Sequence, residues 1–240
     1  MTRILLFFIL GCMPPANAHL DIDLGINIEA EYDDSYTAEL DPYAPRGLKA
    51  AYLSSVVLQV FNEGMPAGMG SGNYFKLGKH RFIITAAHVV DGADEIEIFE
   101  KGYISTKARV IYSNPDSDIA IVVPMQRLKY TKAIPFRRDI NNQMGEKVYH
   151  CGHPSRQGWH ISEGLLTGTH KDTLMINTFA WPGSSGSVVF DEGGRVVGVL
   201  SAILIDAPMG IPNLVEHIVI SGNIKMLDQE TLKEALRNGQ

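Results

Sequence analysis

Cysteine is scarce in this sequence: the 240 residues contain only Cys12 and Cys151. Small secreted domains that rely on disulfides carry several cysteine pairs, so this class of protein is excluded. The fold must instead be stabilised by a hydrophobic core. The length suffices for one large all-β domain or for two smaller ones.

Long hydrophobic runs are also missing. The apolar run Ile4 to Leu10 is far short of the roughly 20 residues that a membrane-spanning helix needs. Arg3 precedes this run and a small-residue cleavage site ending at Ala18 follows it, so we expect residues 1–18 to be a signal peptide of a periplasmic or secreted protein. As an alternative, Ile-Leu-Gly-Cys12 forms a lipoprotein box, and a lipid on Cys12 would then anchor the protein to a membrane.

The sequence has no excess of basic residues. Its net charge is −6 and its pI is about 5.7, which argues against a nucleic-acid-binding protein, since such proteins carry a basic face. Of the 27 acids, 8 precede Arg46, as does one of the 21 bases, so 19 acids and 20 bases remain in the body. We expect residues 19–50 to be an acidic, flexible leader. The alternatives are a propeptide or a clamp on the body.

From Ser54 onward, short runs rich in Val, Ile, Tyr and Phe alternate with turn residues, which is typical of β-strands. Twelve strands are predicted in two sets, at residues 55–61, 73–76, 81–85, 95–99, 108–112 and 119–123, and then at 147–151, 160–169, 174–177, 187–190, 196–202 and 217–220. Long helical periods are absent, which favours two small barrels or sandwiches, about 51–135 and 136–225, over a doubly wound sheet. Residues 226–240 predict a C-terminal helix, capped by Asp228 and packed on the second barrel.

The stretch from Trp181 to Phe190 places a serine between glycines just before an apolar β-type run. Ser185 is the candidate nucleophile, and Gly183 lets the amides of Gly183 and Ser185 point at one spot, as an oxyanion hole requires. Gly186 is expected to leave room for the substrate. The alternative is an ordinary turn, because Gly-Ser-Ser-Gly is also a common turn composition.

A candidate base and a candidate acid lie upstream of this serine. His88 follows the predicted strand 81–85, and Asp118 heads an almost wholly apolar strand, where an unpaired carboxylate would be unfavourable. A histidine N–H would satisfy that carboxylate, and the acid would stabilise the imidazolium formed when the base takes the serine proton. The order His, Asp, Ser is the chymotrypsin type and predicts a site in the cleft between the two strand sets.

Four motifs carry a resemblance to a known family: Thr-Ala-Ala-His88-Val-Val, Asn-Pro-Asp-Ser-Asp118-Ile-Ala, Gly152-His-Pro and Pro-Gly-Ser-Ser185-Gly-Ser. Over residues 54–225 the sequence resembles the trypsin-like peptidases of the bacterial HtrA type. The resemblance implies an all-β fold of two six-stranded antiparallel barrels and a serine endopeptidase that hydrolyses polypeptides. It also implies a triad of His88, Asp118 and Ser185, with Gly183 and Ser185 as the oxyanion hole.

The family pattern also places the substrate pocket. The residue six positions before the nucleophile lies at the base of the primary pocket, and here it is Phe179, so no acid is present to hold Lys or Arg. Ser201, Ala202 and Ile203 would lie near the pocket mouth. We therefore expect small or aliphatic substrate side chains.

The sequence predicts no cofactor and no metal site. A possible metal motif is formed by His150, Cys151 and His153. Adjacent strand residues point to opposite faces, however, and no further ligand pair has a matching spacing. Two features depart from the resemblance. We expect no PDZ domain to follow, which leaves the oligomeric state open. Ser187 replaces a common glycine, as in secreted glutamyl endopeptidases. Ser187 and the acidic leader support an alternative function, a catalytically silent binding module with a protease fold.

Overall fold

A computed structural model of the chain describes residues 8–9, 40–101, 105–139, 141–154, 158–170, 172–206 and 213–239. Residues 8–9 form a short strand, β1 (Phe8–Ile9). The rest of the predicted signal peptide, the lipoprotein box at Cys12 and residues 19–39 of the predicted leader lie outside the described residues. Within the described ranges, no helix is long and apolar enough to cross a membrane.

The first barrel consists of six antiparallel strands: β2 (Ser55–Asn62), β3 (Met65–Leu77), β4 (His80–Thr85), β5 (Glu95–Phe99), β6 (Ser105–Asn114) and β7 (Ile119–Pro124). They follow one another around the ring in the order β2, β5, β6, β7, β4, β3, and β3 pairs with β2 to close it. A two-residue strand, β8 (Ile134–Pro135), adds in parallel to β3. Leu58, Phe75, Ile83 and Ile121 are fully buried in the core that this barrel encloses.

The second barrel also has six antiparallel strands: β9 (Lys147–Gly152), β10 (His160–His170), β11 (Thr173–Asn177), β12 (Val188–Asp191), β13 (Val196–Asp206) and β14 (Asn213–Asn223). Their order is β13, β12, β9, β10, β11, β14, and β14 pairs with β13 to close the ring. Beyond the end of β12, β1 pairs with β13 in an antiparallel manner, with Phe8 opposite Ile203 and Ile9 opposite Ala202. The predicted double barrel is confirmed, and each barrel carries one additional short strand.

Strand β3 is longer than the sequence predicted. It begins at Met65 rather than at residue 73, because the glycine-rich stretch before Asn73 is also extended. A Cβ atom at Gly70 would lie 2.7 Å from the side chain of Val89, and one at Gly72 would lie 2.8 Å from that of Ile83. These glycines therefore serve close packing inside a strand, where composition alone suggests a loop.

The N-terminal helix α1 (Arg46–Ser54) precedes the first barrel but packs on β9 and β12 of the second. Its first residues belong to the interval assigned to the leader. A Cβ atom at Gly47 would lie 2.0 Å from the carbonyl oxygen of Asp191, so only glycine allows this approach. The helix thus packs the N-terminal end of the folded domain against the second barrel, which follows later in the sequence.

The second helix, α2 (Ala87–Val90), is a single turn after β4. The C-terminal helix α3 (Gln229–Asn238) begins, as predicted, at an Asp228 cap. The expectation that it packs on the second barrel is wrong: α3 lies on β6 of the first barrel, where Gly239 lies against Ile111. Its amphipathic pattern specifies an apolar face but not the surface that this face meets.

Candidate active site

His88 lies on the single turn of α2, which directly follows a strand of the first barrel. Ala86 and Ala87 are almost completely buried, so the turn packs closely on that barrel. The side chain of His88 is 12% exposed. The ring is therefore largely shielded from solvent.

Asp118 lies at the end of the turn between β6 and β7. The side-chain oxygen of Asn114 accepts hydrogen bonds from the amides of Asp116 (2.9 Å) and Ser117 (3.2 Å), which shapes this turn. Asp118 has a φ of 50°, in the left-handed region that non-glycine residues seldom adopt, although Asp and Asn do so more often than others. From this position its carboxylate contacts His88.

Two hydrogen bonds join His88 to Asp118. Nδ1 of His88 lies 2.7 Å from Oδ2 of Asp118, and the backbone N–H of His88 donates to Oδ1 over 2.9 Å. Because an ionised carboxylate can only accept, Nδ1 carries the proton of the neutral ring, and Nε2 is left with its lone pair. This is the tautomer that a general base needs.

Ser201 makes a third hydrogen bond to this carboxylate, with its hydroxyl donating to Oδ2 of Asp118. Since Ser201 belongs to β13, the acid is held from both barrels. Sequence analysis placed Ser201 at the mouth of the pocket and missed this contact. The available signal was a single polar side chain in the otherwise apolar run 196–203.

The candidate nucleophile Ser185 lies in the tight loop that leads into β12. The amide of Ser184 donates to the carbonyl of Trp181 (2.8 Å), and the amide of Ser187 donates to that of Ser184 (3.0 Å). Gly183 has a φ of 100°, which glycine adopts without steric penalty. Among the described residues, neither the amide of Gly183 nor that of Ser185 donates to another group, and both residues are buried.

Gly186 is required for a reason that differs from the predicted one. A Cβ atom at Gly186 would lie 2.2 Å from both the carbonyl oxygen of Ser71 and the hydroxyl oxygen of Thr85, and the residue has a φ of 84°. The space at Gly186 is filled by the first barrel, and not by a substrate.

Ser187, which replaces the common glycine, is accommodated because Gly152 opposite it has no side chain. A Cβ atom at Gly152 would lie 2.7 Å from the Ser187 hydroxyl oxygen.

The side chains of Ser185 and His88 are not joined by a hydrogen bond in this conformation. Oγ of Ser185 and Nε2 of His88 are both buried, and neither has a hydrogen-bond partner within the described part of the chain. Buried polar atoms of folded proteins are normally paired, and an unpaired one is unfavourable by about 1–3 kcal/mol. Oγ of Ser187, in the same loop, and Oγ of Ser117, beside Asp118, are buried and unpaired as well.

A cleft of about 490 Å³ opens beside the His88–Asp118 pair, between the barrels. The first barrel lines it with Ala87, His88, Asp91, Ser113, Pro115, Asp116, Ser117 and Asp118, and the second with Thr173, Ser201, Ala202, Ile220 and Gly222. Of the predicted site residues, His88, Asp118, Ser201 and Ala202 line this cleft, whereas Phe179, Gly183, Ser185 and Ile203 do not. Phe179 is 45% exposed, and its ring centroid lies 5.3 Å from that of His160.

His150, Cys151 and His153, the three side chains that resemble a metal motif, are buried in the second barrel and at its junction with the first. Nε2 of His150 lies 3.1 Å from the Thr178 hydroxyl, and Nε2 of His153 lies 3.2 Å from the Ser55 hydroxyl. Burial lowers the pKa of His150 to about 4 and that of His153 to about 3, and it raises the pKa of the Cys151 thiol to about 12. All three side chains are therefore uncharged at neutral pH. Within the described residues, no group of three His, Cys, Asp or Glu side chains is placed to hold a metal ion.

The chain is similar in sequence to known serine peptidases. A family profile for the trypsin-like peptidase domain matches residues 70–199. A probable periplasmic serine endoprotease, DegP-like, of Bartonella henselae is 26% identical over 192 residues, which cover 76% of this chain and 37% of the relative. The chloroplastic Protease Do-like 1 of Arabidopsis thaliana is 25% identical over 154 residues, with 58% and 34% covered. The chain thus spans about a third of the length of these relatives.

Solved structures give the same picture of the fold. The HtrA-type protease AlgW with a tripeptide superposes with a TM-score of 0.65 at 22% identity, covering 81% of this chain and 64% of that one. The serine endoprotease from Yersinia pestis superposes with a TM-score of 0.62 at 18% identity, covering 84% and 70%. At this level of identity the likeness establishes the chymotrypsin-like double barrel.

Proposed function

Because this chain belongs to the trypsin-like peptidase family, we propose that it is an exported serine endopeptidase with His88, Asp118 and Ser185 as its catalytic triad. Periplasmic serine endoproteases among its relatives support both the activity and the export. The observation that carries the proposal is the His88–Asp118 pair, which fixes the ring with a free Nε2. Structural histidines have no need of a carboxylate held from two barrels.

In the proposed mechanism, Oγ of Ser185 attacks the carbonyl carbon of a peptide bond while Nε2 of His88 takes the hydroxyl proton. Asp118 stabilises the imidazolium. The amides of Gly183 and Ser185 donate to the oxyanion of the tetrahedral intermediate. His88 then protonates the leaving amine. In the second half of the reaction, water attacks the acyl-enzyme while His88 takes its proton, and His88 returns this proton to Oγ of Ser185 as the acyl group leaves.

The free enzyme must adjust before this reaction. Since no hydrogen bond joins Ser185 to His88 here, we infer that substrate binding brings Oγ and Nε2 within reach of each other. Catalytic hydrogen bonds are often long or misaligned in free enzymes and tighten when the substrate is bound. The buried position of Ser185 agrees with a site that opens when a peptide enters.

A polypeptide substrate is supported by the backbone of β13. One side of Ala202 and Ile203 pairs with β14, and the other side pairs with β1 in an antiparallel manner. This edge therefore accepts an extended segment through main-chain hydrogen bonds, as peptide-binding sheet edges do. We propose that the residues before the scissile bond bind along this edge, which leads from Ser201 past the cleft.

The unpaired Ser185 hydroxyl also favours a second candidate, the catalytically silent binding module. The decisive experiment is labelling of the purified 19–240 protein with a fluorophosphonate, followed by mapping of the modified residue. We expect the label on Ser185, and none on the Ser185→Ala or His88→Ala variants. Ser187→Gly is the matched control, because it changes a serine of the same loop and should retain the label. A folded wild-type protein that takes no label would support the binding module.

A further inference from the structure

The first barrel holds the nucleophile loop of the second through one fully buried residue, Ser71 of β3. Its amide donates to the carbonyl of Ser185 (2.7 Å), and its hydroxyl donates to the carbonyl of Gly183 (2.7 Å). The same hydroxyl oxygen accepts the backbone N–H of His153 (3.0 Å), and the carbonyl of Ser71 accepts the hydroxyl of Thr85 (2.7 Å). Every polar group of Ser71 is therefore used, and two of its four bonds end on the loop that carries the proposed oxyanion hole.

These two bonds hold the peptide groups on either side of the Ser185 amide. The carbonyl of Gly183 belongs to the peptide group before this amide, and the carbonyl of Ser185 belongs to the one after it. Restraining both leaves the intervening N–H little freedom to rotate. Donors that stabilise an oxyanion act through such preorganisation, because they cost no reorganisation when charge develops.

Gly183 is the point where the loop most needs a restraint. With a φ of 100° and no Cβ atom, its backbone has more accessible conformations than that of any other residue type. The hydroxyl of Ser71 fixes the orientation of its carbonyl. The proton of that hydroxyl is directed to Gly183 because its oxygen already accepts the N–H of His153.

We propose that Ser71 is a positioning residue, whose hydroxyl orients the oxyanion-hole amides of Gly183 and Ser185 from the opposite barrel. The inference rests on the proposed endopeptidase function. The amide of Ser71 would hold Ser185 with any residue at position 71, whereas the bond to Gly183 depends on the side chain. Loss of the hydroxyl should therefore slow acylation and leave ligand binding unchanged.

The test compares Ser71→Ala with Ser55→Ala in the 19–240 protein. Ser55 is also fully buried, and its hydroxyl also crosses between the barrels: it donates to the carbonyl of Cys151 over 3.0 Å and lies 3.2 Å from Nε2 of His153. It shares His153 as a neighbour with Ser71 but does not contact the loop. The measurement is the rate of fluorophosphonate labelling over a range of probe concentrations, which separates the limiting rate from the half-saturating concentration. Thermal melting shows how much stability each variant loses.

We expect Ser71→Ala to lower the limiting rate about 10- to 100-fold, less than direct removal of an oxyanion donor does, with an unchanged half-saturating concentration. Ser55→Ala should stay within about threefold of the wild type, and Ser71→Thr, which keeps a hydroxyl, should recover part of the rate. Equal losses in Ser71→Ala and Ser55→Ala, or a wild-type rate in Ser71→Ala, would overturn the positioning role while leaving the endopeptidase intact. An unlabelled wild-type protein would instead overturn the proposed function, and this inference with it.

Discussion

Asp118 accepts both hydrogen bonds that His88 directs toward it, one from the ring and one from the backbone. The backbone bond fixes the carboxylate relative to α2, and the ring bond fixes the imidazole relative to the carboxylate. Ser201 adds a restraint from the second barrel. The orientation of the imidazole therefore depends on an acid that is itself held at three points.

Replacing Asp118 with Asn is the first test of this arrangement. The amide has nearly the same shape but cannot stabilise an imidazolium, and it no longer enforces the tautomer with a free Nε2. We expect fluorophosphonate labelling of Ser185 to slow by about 10³- to 10⁴-fold at pH 7. Asp94→Asn, which changes an exposed acid of the same barrel outside the cleft lining, is the control and should remain within about threefold. A loss of less than tenfold in Asp118→Asn would show that Asp118 is not part of the triad.

The contact of Gly186 with the first barrel predicts a large effect on stability. Gly186→Ala combines a φ of 84° with a Cβ atom 2.2 Å from two oxygen atoms. Gly64→Ala is the matched control, because Gly64 has a φ of 78° and nothing within 4 Å of its Cβ position. Urea denaturation should show a loss of about 1–2 kcal/mol in unfolding free energy for Gly64→Ala and of more than about 3 kcal/mol for Gly186→Ala. Similar losses would mean that the loop moves away from the first barrel at little cost.

The buried histidines predict an acid-sensitive fold. Burial depresses the pKa values of His150 and His153 to about 4 and about 3, while in the unfolded chain both titrate near 6.5. Below pH 6.5 the unfolded state binds protons that the folded state does not, so stability is fully present above pH 6.5 and is lost as the pH falls toward 4. Each histidine should account for on the order of 2–3 kcal/mol of this loss.

Urea midpoints measured from pH 7 to pH 4 check the prediction for the histidines. His150→Asn and His153→Asn should each flatten the decline, even if they are less stable at pH 7. Cys151→Ala also alters a buried side chain in this region but keeps both rings, so its stability should fall with pH as steeply as that of the wild type. An unchanged slope in both histidine variants would contradict the assignment.

The pairing of β1 with β13 predicts that the N-terminal segment competes with substrate. Because Phe8 and Ile9 lie opposite Ile203 and Ala202, a chain that retains residues 1–18 has this edge occupied. A peptidyl phosphonate probe, which needs the edge, should label the 19–240 protein several-fold faster than the 1–240 protein. Ile9→Pro in the longer chain should restore the rate, since proline has no N–H for the ladder and is disfavoured within strands. Equal rates in all three proteins would contradict this competition.

Much of the architecture follows from local sequence. Turn residues separate runs of β-forming residues, and this pattern predicts the twelve barrel strands near their observed positions, because both signals act over a few residues. His88, Asp118 and Ser185 stand out for the same reason: each occupies an unusual local context, a histidine among small residues, an acid ahead of an apolar strand and a serine between glycines. The cap at Asp228 is also a short-range feature.

The contacts between the barrels could not be predicted in this way. Ser71 resembles any serine of a glycine-rich stretch until docking places Gly183 and Ser185 against it, and Ser201 resembles a pocket residue until Asp118 reaches it from the other barrel. Gly186 was expected to make room for substrate, but Ser71 and Thr85 fill that space. The helix α3 carries an apolar face that would suit either barrel. The sequence by itself determined which segments become strands and which side chains can do chemistry, since these depend on neighbours along the chain. Only the tertiary structure decided which of those side chains meet, because that depends on how two separately closed barrels pack together.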